Sequence, residues 1–332
     1  MGSLNATIAA VVARVQQISP SAVPTLKFAS MGGWAWNTSA LSGNDLLVSI
    51  AAHWAKRGVE VLSDQHMNDP SFNATAAAAA SYVAMQADLR RRGSPLRMFI
   101  GEEDCAEDKR LPNDGYCHSH TRALSHALLS ATTARLGSDF IVGQAPCDQF
   151  GASGLQEVWP QAQVEFNNRG VLEQPPALAN RMIAQQYMRF NDSSLHVLDV
   201  SPSSFTDDSD NNQILDLLFL TAPTRTLMLR AVNTRQAAAS VEVSISGDAA
   251  HCEKAAQSPP LKCIVLACAE RAVNCWTAPD ACSPKPLPTV PTFAAGQLEE
   301  LYEDTQLRSC GTMKLSVPPL SFTVCHASAP SR

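Results

Sequence analysis

Short apolar runs separated by amphipathic helices recur along the first half of this 332-residue chain, and that alternation restricts its folds more than any other feature. Strands are expected at Thr25–Ser30, Val59–Leu62, Leu96–Ile100 and Phe140–Val142, so one strand and one helix repeat about every 35 to 45 residues. Between them, Leu46, Leu47, Ile50, Ala51 and Trp54 share one helical face. So do Tyr82, Met85 and Leu89, and, in a later helix, Leu124, Leu128 and Ala131. Gly58, Gly93 and Gly137 stand where these helices should stop. Strand and helix in strict alternation imply a parallel sheet covered by helices, either doubly wound or closed as a TIM barrel. No strand leads into a glycine-rich phosphate loop, which weighs against the nucleotide-binding version.

One more helix, carrying Leu178, Met182, Ile183 and Tyr187, follows Pro175-Pro176, and then the texture changes. Strands are expected at 196–200, 214–220, 227–232, 241–246, 263–266, 313–317 and 321–325, separated by proline, serine and aspartate clusters. Val241, Val243 and Ile245 alternate with Glu242 and Ser244, the pattern of a half-buried antiparallel strand. The fold class is therefore α/β followed by all-β, with the boundary near residue 192: a β/α domain over 1–191 and a β-sandwich or open barrel over 192–332.

Ten cysteines are many for a cytosolic protein, and seven of them fall in the last third of the chain. None has C-x-x-C spacing, and the intervals Cys263 to Cys268 and Cys275 to Cys282 suggest disulfides, with Cys275 and Cys282 expected to pair across a short loop. Sequons at Asn5, Asn37, Asn73 and Asn191 point the same way, to an extracellular or secretory-pathway protein. Met1–Gln17 reads as a helix rather than a signal peptide, so a secreted parent is expected to begin further upstream. A net charge of −6 with no basic block argues against nucleic acid or anionic membrane as a partner, and no apolar run approaches a membrane span.

Reactive groups in parallel β/α folds sit at the C-terminal ends of the strands. The first strand leads to Trp34 and Trp36, the second to Asp64, Gln65 and His66, the third to Gly101, Glu102, Glu103 and Asp104, and the fourth to Gln144. Carboxylates for attack, polar groups for hydroxyls and indole faces for a sugar ring suit a carbohydrate hydrolase that uses no cofactor. If the third strand continues, Glu103 turns to the side opposite Glu102. A metal site drawn from His66, Glu102, Glu103, Asp104, His118 and His120 is the competing reading. The His118-Ser119-His120 run lies more than a dozen residues beyond the acidic strand end, which favours the metal-free site.

Several segments resemble the α-L-arabinofuranosidases of the retaining β/α-barrel glycoside hydrolases. Asp64-Gln65-His66-Met67-Asn68 is similar to their D-x-H-Y-Y strand end, and Met98–Glu102 to the V-F-V-G-E strand that ends in the nucleophile. Trp159-Pro160 through Phe166-Asn167 resembles W-x-P…F-N. Leu227–Asn233 and Met313–Cys325 resemble strands of the C-terminal β-domain. The resemblance implies a partial TIM (β/α)8 barrel of about four β/α units followed by a β-sandwich. It implies Glu102 as nucleophile, His66 in support, Trp34, Trp36, Asp64, Gln144 and Trp159 around the sugar, and arabinose-containing glycans as substrate. The family's general acid, a glutamate in an Asn-Glu dipeptide on the fourth barrel strand, has no counterpart here, so the chain is expected to hold strands five to eight and to lack an N-terminal half. Asn68 and Glu103 also stand where the family has aromatic residues. A non-catalytic carbohydrate-binding protein on the same scaffold is the alternative.

Overall fold

The computed structural model describes residues 2–30, 45–68, 87–104, 118–135, 141–143, 147–149, 164–167, 170–188, 196–198, 204–206, 213–221, 227–247, 261–269, 272–274, 282–287 and 308–327. The chain packs as two compact units, Met1–Asp108 with Thr132–Gln144, and Lys109–Ala131 with Ala145–Arg332. This grouping by packing differs from the division near residue 192 suggested by sequence texture. Residues from 145 onward and most of the helix that starts at His120 belong with the later β-strands, and side-chain hydrogen bonds described below explain why.

In the first unit, α1 (Gly2–Ile18) and a 3-10 turn (Pro20–Thr25) lead into β1 (Lys27–Ser30). Helix α2 (Asp45–Ala55) buries Ile50, Ala51 and Trp54, the face set by its apolar spacing. The indole Nε1–H of Trp54 donates to Asn5 Oδ1 at 2.8 Å, and the Arg57 guanidinium lies over the ring. Gly58, at φ +74°, closes the helix: its N–H bonds Ala55 O and the next N–H bonds Trp54 O, a paired ending that needs a left-handed residue. Gly93 ends the helical residues 87–91 with the same pair of bonds. β2 (Glu60–Asn68), β3 (Arg97–Asp104) and β4 (Ile141–Gly143) complete a four-stranded parallel sheet in the order β1-β2-β3-β4. Neighbouring strands in this sheet follow one another in the chain, without reversal of order.

The second unit holds α3 (His120–Arg135) up to Ala131, a small sheet of β5 (Cys147–Gln149), β6 (Val164–Asn167) and β7 (Gly170–Glu173), and α4 (Pro175–Met188). Its main sheet is built from β8 (His196–Leu198), β9 (Ser204–Thr206), β10 (Ile214–Thr221), β11 (Leu227–Asn233), β13 (Leu261–Ala267), β14 (Lys285–Pro286) and β16 (Ser321–Ala327). The strands run in the order β14-β13-β16-β11-β10-β8, with β9 also on β10, all pairs antiparallel. β12 (Ala239–Gly247) pairs with β15 (Arg308–Val317) as a separate ribbon. Leu215, Leu217, Phe219, Leu229, Ala231 and Leu261 of the main sheet share one core with Ala239, Leu315 and Val317 of the ribbon.

The opposite face of the main sheet meets α3 and α4. Arg230 is 1% exposed; its Nε–H donates to Gln186 Oε1 at 2.6 Å and its Nη1–H to Ser130 Oγ at 3.3 Å. The Gln186 amide in turn donates to the carbonyls of Leu229 and Cys325. These bonds join both helices to the sheet, and burial makes each group expensive to leave unsatisfied. His126 of α3 also bonds Asn180 of α4. Asn233 donates to the carbonyls of Pro318 at 2.8 Å and Ala237 at 3.0 Å, fixing the turn before β16, in which Leu320 adopts φ +42°.

The cysteine expectation needs correction. Cys263 bonds Cys325, and Cys268 bonds Cys282, so Cys282 is not the partner of Cys275, and neither short interval is closed as expected. Strand register explains both bonds. Cys263 and Cys325 are direct Cα partners on β13 and β16. The β13–β14 ladder pairs Ile264 with Pro286 and Val265 with Lys285; continuing it outward brings Cys268 opposite Cys282. Cys282 is held further by its N–H, which donates to Asn274 Oδ1.

Candidate active site

The second and third strands run further than their apolar segments suggest. β2 continues to Asn68 and β3 to Asp104, so Asp64, His66, Glu102 and Glu103 lie within paired strands rather than in the loops after them. These polar residues have poor strand propensity, but each has a parallel neighbour whose backbone offers a ladder partner, and tertiary pairing overrides propensity.

The ladder carries an irregularity at the acidic segment. From Leu62↔Arg97 to Gln65↔Ile100 the register of β2 and β3 is regular; it then resumes as His66↔Glu102, leaving Gly101 as an extra residue. The β3–β4 ladder breaks at the same place, passing from Ile100↔Ile141 to Glu103↔Gly143. Without the bulge His66 would stand opposite Gly101. The extra residue brings Glu102 into register with the histidine. Bulges concentrate beside active sites because they re-aim a residue without ending the strand, and glycine accepts the conformations they require. Gly101, between the apolar Met98–Ile100 and the acidic Glu102–Asp104, is the sequence signal for this feature.

Asp64 is the Cα partner of Phe99, one step before Gln65↔Ile100, and Asp104 pairs with Asn68 at the rim. Thus Asp64, His66 and Glu102 gather on adjacent strands toward their C-terminal ends, in backbone register. Their side chains, and all of Trp34, Trp36, Gln144 and Trp159, lie outside the described residues.

The two histidines of the competing metal reading are engaged structurally. His118 and His120 are 5% and 0% exposed, and the His120 Nε2–H donates to the Leu320 carbonyl at 2.7 Å. Burial holds the His118 imidazole down to about pKa 4, and lowers that of His120 against the opposing pull of the Leu320 carbonyl. Both rings are neutral at pH 7. Among the described residues, no three of His, Cys, Asp and Glu are grouped to hold a metal ion.

No protein-family model and no curated protein matches the sequence. Solved structures do. A family 51 α-L-arabinofuranosidase from Bifidobacterium longum aligns over 98% of this chain and 62% of its own length, at 11% identity and a TM-score of 0.59. An α-L-arabinofuranosidase from Thermotoga maritima, solved as an arabinose complex, aligns over 90% of this chain and 57% of its own, at 11% identity and a TM-score of 0.55. A GH51 arabinofuranosidase from Xanthomonas axonopodis pv. citri aligns over 91% and 66%, at 9% identity and a TM-score of 0.54. The chain therefore shares its fold with these α-L-arabinofuranosidases over 90% to 98% of its length and spans 57% to 66% of theirs.

Proposed function

We propose that this chain is the nucleophile-bearing part of a retaining α-L-arabinofuranosidase, a partial (β/α)8 barrel followed by a β-sandwich, acting on arabinose-containing polysaccharides or glycoproteins. The observation that carries the reading is the pairing of His66 with Glu102 at a glycine bulge, toward the C-terminal ends of adjacent parallel strands, in a glycoside-hydrolase fold. Those strand ends are where β/α enzymes do their chemistry.

In this reading the Glu102 carboxylate attacks the anomeric carbon of a terminal arabinofuranosyl group as the glycosidic C–O bond breaks, giving a covalent ester. Water then hydrolyses the ester and releases arabinose with its configuration retained. His66 orients the carboxylate or a sugar hydroxyl. Asp64 and Gln144 hold hydroxyls, while Trp34, Trp36 and Trp159 cover the sugar ring; no cofactor takes part. The acid that protonates the leaving oxygen comes from polypeptide outside these 332 residues. Two disulfides and four sequons support an extracellular or secretory-pathway setting.

Proton donation typically contributes ~10² to 10⁴-fold, so the chain alone should turn over only aryl arabinofuranosides with good leaving groups. Incubation with such a substrate, acid quench and peptide mass mapping should find one arabinofuranosyl group on the peptide carrying Glu102, and none in Glu102→Ala. An adduct on another residue, or equal turnover by the variant, would reject the assignment.

A further inference from the structure

The first unit gathers basic residues that lie apart in the sequence. β1, β2 and β3 start at the same end of the parallel sheet, since the register pairs Lys27 with Glu60 and Leu62 with Arg97. The helices between these strands run the other way, so α2 and the helical residues 87–91 finish at that end. Lys27 and Arg97 open two of the strands. Lys56-Arg57 follow α2, and Arg90–Arg92 close the second helix; all of these residues are exposed. Among the described residues of this end, Glu60 and Asp88 are the only carboxylates. Local contacts account for part of the charge. A cation near a helix C-terminus offsets the backbone dipole, the Arg57 guanidinium lies over Trp54, and Asp88 bonds both Arg91 and Arg92. One carboxylate between two arginines leaves an excess, and the Arg91 side chain is still 74% exposed. A chain of net charge −6 thus carries a locally positive surface. It lies at the end of the sheet opposite Asp64, His66 and Glu102, about 20 Å away along the strands.

We propose that this surface binds an acidic polysaccharide, a polymer with carboxylates on successive sugars. Lys27 and Arg97 start strands two spacings apart, ~10 Å, and the helix-end arginines widen the row. Linked carboxylates engage several such cations at once, where a single sugar acid reaches one or two. Most of the cations are arginines, whose planar forks fit carboxylates in pairs. The choice among polyanions rests on setting and on shape. The bonds Cys263–Cys325 and Cys268–Cys282 suit an oxidising compartment, away from the anionic lipids of the cytoplasmic leaflet. A single-stranded nucleic acid binds by stacking its bases on open rings. Here the indole of Trp54 is 2% exposed, covered by Arg57 and bonded to Asn5. A polymer bound at this end leaves the opposite end of the sheet open. The surface therefore anchors the chain to a charged glycan without occupying the candidate site.

Affinity electrophoresis of the 332-residue chain through gels containing polygalacturonate should retard it at low ionic strength. The apparent affinity should fall at least ~10-fold as NaCl rises from about 20 to about 300 mM and the Debye length shortens. The fully methyl-esterified polymer, which has the same sugars without the charge, should not retard it. Arg90→Ser with Arg91→Ser should weaken binding at least ~10-fold with unchanged circular dichroism, and Lys56→Ser by a smaller factor. Lys314→Ser, at an exposed position of the second unit, should leave binding unchanged. Equal retardation by the esterified polymer, or binding indifferent to the arginine substitutions, would overturn the proposal. So would tighter binding to a single-stranded oligonucleotide or to phosphatidylserine vesicles than to polygalacturonate. None of these readouts involves turnover, so they fail or hold separately from the assignment of Glu102.

Discussion

The parallel sheet of the first unit and the large antiparallel sheet of the second use their strands in opposite ways. In β10, β11 and β16 nearly every described position is buried, because one face packs on the β12–β15 ribbon and the other on two helices. Among the polar side chains buried there, Arg230 and Asn233 are held by hydrogen bonds. In β2 and β3 the outer half of each strand reads Asp-Gln-His-Met-Asn and Gly-Glu-Glu-Asp, and the register breaks at Gly101 in both ladders. One sheet is organised for cohesion; the other accepts irregular pairing and clustered charge where a substrate could be met. With the chemistry proposed for Glu102, stability and catalysis would fall to different sheets, and substitutions should separate accordingly.

The sharpest separation is expected at Glu102. Glu102→Ala should lower turnover of an activated arabinofuranoside by at least ~10³-fold while shifting stability by less than about 1 kcal/mol, by kinetics and urea unfolding together. A large stability loss would make Glu102 a structural residue and erase the contrast. The reverse is expected at Arg230. Arg230→Ala removes bonds to Gln186 and Ser130 and leaves a cavity, so it should cost about 3–5 kcal/mol. A double-mutant cycle with Gln186→Leu should show coupling of at least ~1 kcal/mol; additivity would mean that the two side chains act independently.

Smaller effects sharpen the same division. Replacing Cys263 and Cys325 together by alanine should cost about 2–4 kcal/mol, seen as a lower urea midpoint. An unchanged midpoint would count against the bond in solution. Acid should weaken the second unit through its buried histidines. The folded pKa of His118, about 4, lies below its ordinary value of 6.5, so the unfolded chain takes up the proton first. The stabilising contribution is therefore complete above about pH 6.5, is lost as pH falls, and is gone below about pH 4, amounting to roughly 3 kcal/mol. His118→Gln should flatten this slope; a slope unaltered by that substitution would place the acid sensitivity elsewhere.

Much of the described fold was legible in the chain itself. The four parallel strands, the helices at 45–55, 120–135 and 175–188, and all seven strands expected after residue 192 occur where periodicity and glycine stops put them. What escaped reading depended on neighbours. The outer halves of β2 and β3 look like loops because Asp64, His66 and Glu102 are polar, and only adjacent strands make them ladder residues. The disulfides follow cross-strand register, which sequence spacing does not encode, so the short Cys275–Cys282 interval misled. The 3-10 turn and the short strands β5, β6, β7, β9 and β14 carry too few residues for a periodic signal. Asp64, His66 and Glu102 could be named because a strand end marks its own candidates; which residue faces which required the register.

The topology of the main sheet also has a consequence for how the protein is made. β16 lies between β13 and β11 and bonds to both, with Cys325 opposite Cys263, yet it is synthesised after every other strand of that sheet. As the polypeptide emerges, β10 and β11 can form a hairpin at once, but the open side of β11 stays unsatisfied until some ninety residues later. A nascent chain therefore presents a long apolar strand edge throughout that interval, with Cys263 a reactive thiol awaiting a partner not yet translated. Chaperone retention and premature thiol pairing should concentrate in that window, and close when Ser321–Ala327 slots into the middle of the sheet.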